Sequence, residues 1–410
     1  MIQASKGTKD ILPKDAAVWQ FMERVAEEVF SSANFSEIRT PIFEATSLFS
    51  RGVGDSTDIV NKEMYTFEKN ERSLTLRPEN TAGVVRAYIE NGFSRIAPPV
   101  KLWYKGPMFR YERPQAGRQR AFHQVGVEMF GESAPLADAE CINIAVVYLK
   151  KLGLNDLTVE LNSLGCKECR EGFKNELRNM FKKYLSDLCD DCKVRYEKNP
   201  LRILDCKNES CIKKFQDKSV QMLINTDFIC PECSEHYTSV QKYLDDLGIK
   251  YTKNRQLVRG LDYYNRTVFE IKSCSLGSQN AVCGGGRYDG LVEMLGGEPT
   301  PAVGWAMGME RLASLLPARP ETKLDYFIIS TDSEKTIVLV NELRNLGYRV
   351  DYDYRGRKFA KQLEKAIKTA NNAIILGEDE IKANKITVKN LITSEQVTAK
   401  KEEFFYPPSS

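Results

Sequence analysis

The 410-residue chain contains no run of eighteen apolar residues, and its first residues, Met1-Ile2-Gln3-Ala4-Ser5-Lys6, have none of the hydrophobic stretch of an export signal. The expected setting is therefore soluble and cytoplasmic, with no membrane partner. A Walker-type lysine loop and a Rossmann glycine fingerprint are also missing, which removes the two commonest backbone cradles for a nucleotide. Nor does charge of one sign predominate. Lys and Arg total 59 against 56 Asp and Glu, and the net +3 rules out a globally basic coat for nucleic acid. Any polyanion has to be met by local patches. Internal repeats and low-complexity tracts are absent.

What is present suffices for more than one core. Hydrophobic residues make up 42% of the chain, and 410 residues exceed the usual reach of a single core, so two or three domains are expected. From Pro13 onward, Val18, Phe21, Met22, Val25, Ala26, Val29 and Phe30 recur at helical spacing, with Pro13 and Asp15 as start signals. Strand-like pieces follow at residues 73–77, 100–112 and 120–130, with a helical stretch at 78–90. Adjacent strands with few helices between them predict an antiparallel sheet. Residues 166–247 change character: they are charged, helical in pattern and hold eight of the eleven cysteines, as an insertion would. Without a secretory signal those thiols are expected to be reduced or metal-bound. Past a linker-like stretch at 317–321, the segments 326–330, 334–346, 349–352, 358–370 and 373–376 alternate strand and helix as a small α/β domain does.

Three stretches carry chemistry. Arg259-Gly260-Leu261-Asp262-Tyr263-Tyr264 sets a permanent cation, a carboxylate and two phenols just before the strand-like Thr267-Val268-Phe269-Glu270-Ile271. Arginine keeps its proton, and its planar fork fits phosphate or carboxylate oxygens, so Arg259 is a candidate electrophile. Surface packing of arginine beside tyrosine is the alternative. If a strand begins there, the two tyrosines face opposite sides. The second stretch is Phe109-Arg110-Tyr111-Glu112-Arg113, the loop Pro114-Gln115-Ala116-Gly117-Arg118-Gln119-Arg120, and the returning Ala121-Phe122-His123-Gln124-Val125-Gly126-Val127-Glu128. Such a hairpin projects cations over one face and can grip a triphosphate without a phosphate loop. Gln124 and Glu128, four apart on a strand, share a face where an amide and a carboxylate can read a small polar ligand. A merely exposed arginine-rich hairpin is the alternative. The third stretch, Val303-Gly304-Trp305-Ala306-Met307-Gly308-Met309-Glu310-Arg311-Leu312, passes from strand to helix and puts Arg311 where a guanidinium can stack on a base. A buried turn with a surface arginine is its bland reading.

In this order, the hairpin and the final Gly308-Met309-Glu310-Arg311 resemble motifs 2 and 3 of class II aminoacyl-tRNA synthetases, and residues 35–54 with Pro41 look like motif 1. The Arg259 hexapeptide, Gly284-Gly285-Gly286-Arg287-Tyr288-Asp289-Gly290, Lys6-Gly7-Thr8-Lys9-Asp10 and Thr75-Leu76-Arg77-Pro78-Glu79-Asn80-Thr81 narrow the resemblance to the histidyl-tRNA synthetase family, over the whole chain. The resemblance implies an α+β fold. A class II antiparallel sheet flanked by helices forms a catalytic domain over 1–320, a cysteine-rich insertion lies within it at 166–247, and an anticodon-binding domain spans 325–410. It also implies a homodimer that activates L-histidine with ATP and Mg2+ and transfers it to tRNA(His). Carried over residue by residue, Arg110 meets the α-phosphate, Arg311 stacks on adenine, and Arg113 and Arg118 are further ATP contacts. Glu79, Asn80, Thr81 and Gln124 hold the histidine amino and carboxylate groups, with Arg110 and Arg259 beside them. Glu128 and Tyr264 read the imidazole, Tyr263 lines the pocket, and Arg259 is the catalytic cation; no metal ligand belongs to the catalytic set.

Some features stay open at this level. Cys166 with Cys169, Cys189 with Cys192, Cys206 with Cys211 and Cys230 with Cys233 are four ligand pairs, enough for two tetrahedral Zn2+ sites, although the family does not need zinc for catalysis. Cys141, Cys274 and Cys283 read as buried apolar cysteines. The glycine run at 284–290 either shapes the histidine pocket or makes a tight turn. In the C-terminal domain Arg355, Arg357, Lys358, Lys361, Lys365 and Lys368 form a basic group. Its last three members are expected opposite Leu363, Ala366 and Ile367 as a tRNA-facing stripe or a solvated helix face. The rival identity is the synthetase-like regulatory subunit of ATP phosphoribosyltransferase, which usually lacks the anticodon domain and departs from the Arg259 hexapeptide.

Overall fold

The first apolar stripe becomes a helix, Pro13–Ser32, with Val18, Trp19, Met22, Val25, Ala26, Val29 and Phe30 buried and Phe21 packed against the same core. The computed structural model describes residues 2–55, 57–114, 117–226, 228–273, 281–317 and 323–405. Residues 318–321 of the expected linker, and residues 274–280 ahead of the glycine run with Cys274 among them, lie outside that set. By contact the chain divides into two units, Met1–Arg319 and Pro320–Ser410.

The first unit is built on an eight-stranded sheet. Its strands run, edge to edge, Ser36–Glu37, Val100–Phe109, Ala121–Phe130, Ala302–Gly308, Ala281–Arg287, Asn265–Ser273, Leu157–Ser163 and Tyr251–Lys253. Only the outermost pair at each edge is parallel; every other neighbour is antiparallel. A smaller three-stranded sheet, in the order Phe43–Ala45, Arg72–Leu76, Tyr65–Lys69, leads into the helix Thr81–Glu90. That helix starts three residues later than its periodicity suggests, because Pro78, Glu79 and Asn80 form the approach to it rather than its first turn.

Strand alternation divides the large sheet into two unlike faces. On one, Val125, Val127, Met129, Val303, Trp305, Met307, Phe269 and Ile271 are all buried against the helices Pro13–Ser32, Pro135–Lys151 and Pro231–Asp246. Each such side chain stabilises by about 1.5–3 kcal/mol relative to exposure. On the other face, register places Gln124, Gly126 and Glu128 beside Gly308, Ala306 and Gly304, then Gly284 and Gly286, then Glu270 and Val268. Glycine inside a strand costs roughly 0.5–1 kcal/mol against alanine. Five glycines and an alanine across the middle of a sheet are therefore poor for stability and serve to make space. Of the glycine run, residues 284–287 belong to the central strand Ala281–Arg287, and Asp289 and Gly290 form the turn that follows it.

Residues 166–247 form a helical body with helices Lys167–Lys182, Asp190–Lys198, Glu209–Phe215, Lys218–Ile224 and Pro231–Asp246. Most of it has its own core of Leu177, Phe181, Leu188, Ile203, Val220 and Ile224.

The second unit has a five-stranded sheet ordered Val350–Tyr352, Leu324–Ser330, Ala370–Leu376, Ile386–Asn390, Gln396–Ala399, the first three parallel and the last two antiparallel. The helices Ser333–Asn345 and Phe359–Thr369 supply the crossovers. One expectation fails here. The buried side of Phe359–Thr369 is centred on Gln362 and Ala366, because the Gln362 amide pairs with the backbone of Ser330 at 3.0 and 2.9 Å. This rotation leaves Ile367 50% exposed and turns Lys365 inward to Asp351 at 3.1 Å, over the Phe327 ring. Lys361 and Lys368 both bond to Glu364.

Candidate active site

The glycine-floored face gathers most of the candidate residues. Arg110 follows the strand Val100–Phe109, and its Nε donates to the Pro78 carbonyl at 2.8 Å while the guanidinium lies over the Phe122 ring. This sets the cation beside residues 79–81. The Glu79 carboxylate accepts the backbone N–H groups of Thr81 at 2.8 Å and Ala82 at 2.9 Å, capping the positive end of the helix Thr81–Glu90. Burial nevertheless raises its pKa. Asn80 Oδ1 takes hydrogen bonds from Thr40 Oγ1 at 2.6 Å and from Arg77 Nη1 at 3.2 Å.

At the centre is Glu128, fully buried on Ala121–Phe130. Thr81 Oγ1 donates to its Oε1 at 2.7 Å and the Tyr288 hydroxyl donates to its Oε2. Desolvation outweighs both donors and pushes the carboxyl up to about 8. The close fit depends on Gly304: a Cβ there would stand 1.9 Å from Glu128 Oε2. Tyr263, Tyr264 and Tyr288 make a continuous aromatic wall, with ring centroids 4.7, 5.5 and 6.4 Å apart pairwise. The condition for Tyr263 and Tyr264 to face opposite sides, a strand beginning at the hexapeptide, is not met. The strand begins at Asn265, so two-residue alternation does not govern the pair.

Arg259 joins the site across Gly284, where a Cβ would fall 1.8 Å from its Nη2. Its Nη1 bonds Glu270 on the neighbouring strand. Burial works against the charge, but Glu270 outweighs it and the guanidinium pKa ends above its ordinary value. Among the described residues, Arg259 Nε, Gln124 Oε1 and Asn80 Nδ2 are buried with no hydrogen-bond partner. Each unmatched group of this kind costs about 1–3 kcal/mol, which a ligand can recover.

A second group of cations lies at the hairpin loop. Arg118 pairs with Glu112 at 3.3 Å, and Arg311, in the first turn of Met309–Leu315, donates to the Ala281 carbonyl at 2.5 Å. Burial, then the Arg118 charge, lower the Arg311 pKa. Two cations close enough to disfavour each other suit a polyanion. Glu310 ties the two motifs together, accepting the His123 backbone N–H at 2.9 Å. Arg113 is exposed, and Arg120, from the same loop, is drawn away onto the Tyr111 ring, 3.8 Å from its centroid. Tyr288, Glu270 and Gly304 were not singled out as site residues by the sequence. The available signal was the glycines at alternate positions 284, 286 and 304, 308, which mark a strand face cleared of side chains.

Outside this pocket, the cysteines gather into two sets of four: Cys166, Cys169, Cys230 and Cys233, and Cys189, Cys192, Cys206 and Cys211. Cys141 and Cys283 are buried, as expected. No helix among the described residues is long and apolar enough to cross a membrane.

A family model described as histidyl-tRNA synthetase matches residues 7–168 and 221–312, and one described as an anticodon binding domain matches 326–406. A histidine–tRNA ligase from Halothermothrix orenii is 48% identical over 406 residues, 97% of this chain and 96% of that one. Its counterpart from Caldanaerobacter subterraneus is 46% identical over 407 residues, with 97% and 96% covered. The crystal structure of apo histidyl-tRNA synthetase from S. aureus superposes with a TM-score of 0.81 at 37% identity, covering 99% of this chain and 100% of that chain.

Proposed function

The chain belongs to the histidyl-tRNA synthetase family, and on that premise we propose that the glycine-floored pocket is where histidine is activated. The chain is a histidine–tRNA ligase and not the regulatory subunit: histidine and ATP give histidyl-adenylate and pyrophosphate, and histidine then passes to tRNA(His). One observation carries the reading of the pocket. A buried carboxylate, Glu128, and two arginines, Arg110 and Arg259, converge on a sheet face kept clear by Gly284 and Gly304.

In this reading Glu79, Asn80, Thr81 and Gln124 hold the amino and carboxylate groups of histidine. Glu128 and Tyr264 pair with the two imidazole nitrogens, with Tyr263 and Tyr288 as the wall. Arg110 contacts the α-phosphate, Arg311 stacks on adenine, and Arg113 and Arg118 meet the remaining phosphates. A histidine carboxylate oxygen attacks the α-phosphorus, and the bond to the bridging oxygen breaks as pyrophosphate leaves. Negative charge grows on the α-phosphate oxygens, where Arg259 and Arg110 are already fixed, so they stabilise the transition state more than the ground state. The 3′-terminal adenosine of the tRNA then attacks the acyl carbon and AMP leaves. A pocket that pairs both imidazole nitrogens rejects side chains that leave Glu128 and Tyr264 unmatched, so a separate editing site is unnecessary.

Bound with the nucleotide, Mg2+ would neutralise phosphate charge. Glu112 and Glu270, whose charges both act on Arg311, are hard oxygen donors suited to it. The two cysteine sets suit Zn2+ in a structural role. The segment 35–54 is assigned to a homodimer interface, the C-terminal unit to the anticodon, and the protein to the cytoplasm.

The reading predicts a pH dependence. With its pKa near 8, Glu128 is protonated in the empty pocket at neutral pH. The preferred ligand is then a neutral imidazole, which accepts from the carboxyl and donates to Tyr264. Raising the pH through 8 removes that proton, so KM for histidine rises, approaching tenfold per unit. Lowering it below about 6.5 charges the free imidazole and raises KM again. Glu128→Gln is expected to abolish the Glu128 contribution to the alkaline limb; any limb that persists belongs to the substrate's amino group. A wild-type KM that is flat from pH 7 to 9 would remove Glu128 from the imidazole.

A further inference from the structure

We infer that residues 166–233 form a two-centre zinc clamp that holds the Arg259 loop in place, an inference that rests on the assignment of Arg259 to histidine activation. In each cysteine set all four Sγ atoms lie within 4.8 Å of one another. Tetrahedral zinc with bonds of about 2.3 Å separates its sulfurs by about 3.8 Å. The observed Sγ–Sγ distances include 3.8 Å for Cys189 with Cys206 and 3.5 Å for Cys166 with Cys169. Backbone N–H groups point at sulfur in both sets: Cys166 to Cys233 at 3.2 Å, Cys230 to Cys169 at 3.1 Å, and Cys189 to Cys211 at 3.3 Å. Such donors stabilise thiolates, and four soft sulfurs select zinc over harder ions. With all four positions taken by protein, the centres are structural. The family match stops at 168 and resumes at 221, leaving out five of these eight cysteines, so the family by itself does not account for them.

The clamp reaches the active site through residues adjoining the cysteines. Gly165, before Cys166, accepts the Arg266 N–H at 2.8 Å, and Glu232, before Cys233, takes the Arg266 guanidinium at 2.5 Å. Arg266 lies two residues past Tyr264 and has φ 46°, a left-handed conformation that a non-glycine residue keeps only when its surroundings impose it. Arg170, after Cys169, donates to the Asp262 carbonyl at 3.0 Å. From the second set, Cys189 and Cys192 open the helix Asp190–Lys198, and the next residue, Asn199, donates to Asp262 Oδ1 at 2.7 Å. Asp262 lies three residues after Arg259 and four before Arg266. Both centres therefore anchor the segment that carries Arg259, Tyr263 and Tyr264, with Arg170 and Asn199 as positioning residues.

The test uses the full-length chain purified under reducing conditions with zinc in the buffer. Elemental analysis is expected to find two zinc ions per chain, and one in each of Cys206→Ser and Cys230→Ser. Cobalt substitution of the unaltered chain, giving thiolate-to-cobalt charge-transfer bands, covers the case where those variants do not fold. The double variant Arg170→Ala, Asn199→Ala is expected to keep both zinc ions, lose at least tenfold in kcat for pyrophosphate exchange and raise KM for histidine, with KM for ATP little changed. Absence of zinc and of the cobalt bands would overturn the centres, and wild-type kcat in the double variant would overturn their link to the loop. If histidine supports no exchange even in the zinc-loaded wild type, the activation reading fails instead, while the metal count still decides the centres.

Discussion

Replacing Arg259 with histidine is expected to slow histidine-dependent adenylation by roughly 10²–10³-fold, the loss typical of a preorganised electrostatic donor, while KM for ATP changes only slightly. The asymmetry follows from geometry. ATP is met by Arg110, Arg113, Arg118 and Arg311 as well, so loss of one cation of five weakens ground-state binding little. Arg259 is set apart from that group: it reaches the pocket from the loop before Asn265–Ser273, across Gly284, and its Nε has no protein partner. An imidazole is shorter and mostly uncharged at neutral pH, so it cannot supply the fixed charge at the α-phosphate. Glu270 loses its partner in the variant, and a thermal melt run beside the kinetics separates that structural cost from the catalytic one. Equal losses in kcat and in ATP binding would reduce Arg259 to a generic phosphate binder.

Glu128→Ala is expected to raise KM for histidine by roughly a hundredfold. Leaving an imidazole nitrogen buried without its partner costs about 1–3 kcal/mol, and each 1.4 kcal/mol is a factor of ten. Two further groups are stranded by the change, because Thr81 Oγ1 and the Tyr288 hydroxyl both donate to this carboxyl and are themselves buried. KM for ATP should move little, since no nucleotide-facing arginine touches Glu128. Steady-state exchange kinetics with histidine varied at saturating ATP measures the effect, and an unchanged KM would take Glu128 out of the imidazole site.

Much of this was legible in the sequence, for reasons that differ by element. The helix Pro13–Ser32 announced itself because its apolar residues recur on one stripe, and the C-terminal strand–helix alternation was clear as far as Leu376. The last strand, Gln396–Ala399, is short and mostly exposed, so it leaves no hydrophobic pattern to read. Arg110, Glu128, Arg259 and Arg311 could be named because each sits in a distinctive local motif. Tyr288 could not be, since its bond to Glu128 joins residues 160 apart and exists only once the sheet has brought Ala281–Arg287 beside Ala302–Gly308. Gly304 is similar: it looks like a turn residue in isolation and proves to be the space that Glu128 occupies. Tyr263 and Tyr264 join one wall because both precede Asn265, where strand alternation begins. Ile367 was misread because a buried glutamine, Gln362, held the position that hydrophobicity alone would give to an aliphatic side chain.

The central claim is that this pocket activates histidine and no other amino acid. Exchange of labelled pyrophosphate into ATP, measured with each of the twenty amino acids in turn, tests it most directly. The account predicts exchange with histidine and near-background rates with the rest; exchange that is independent of histidine, or driven equally well by another amino acid, would contradict it.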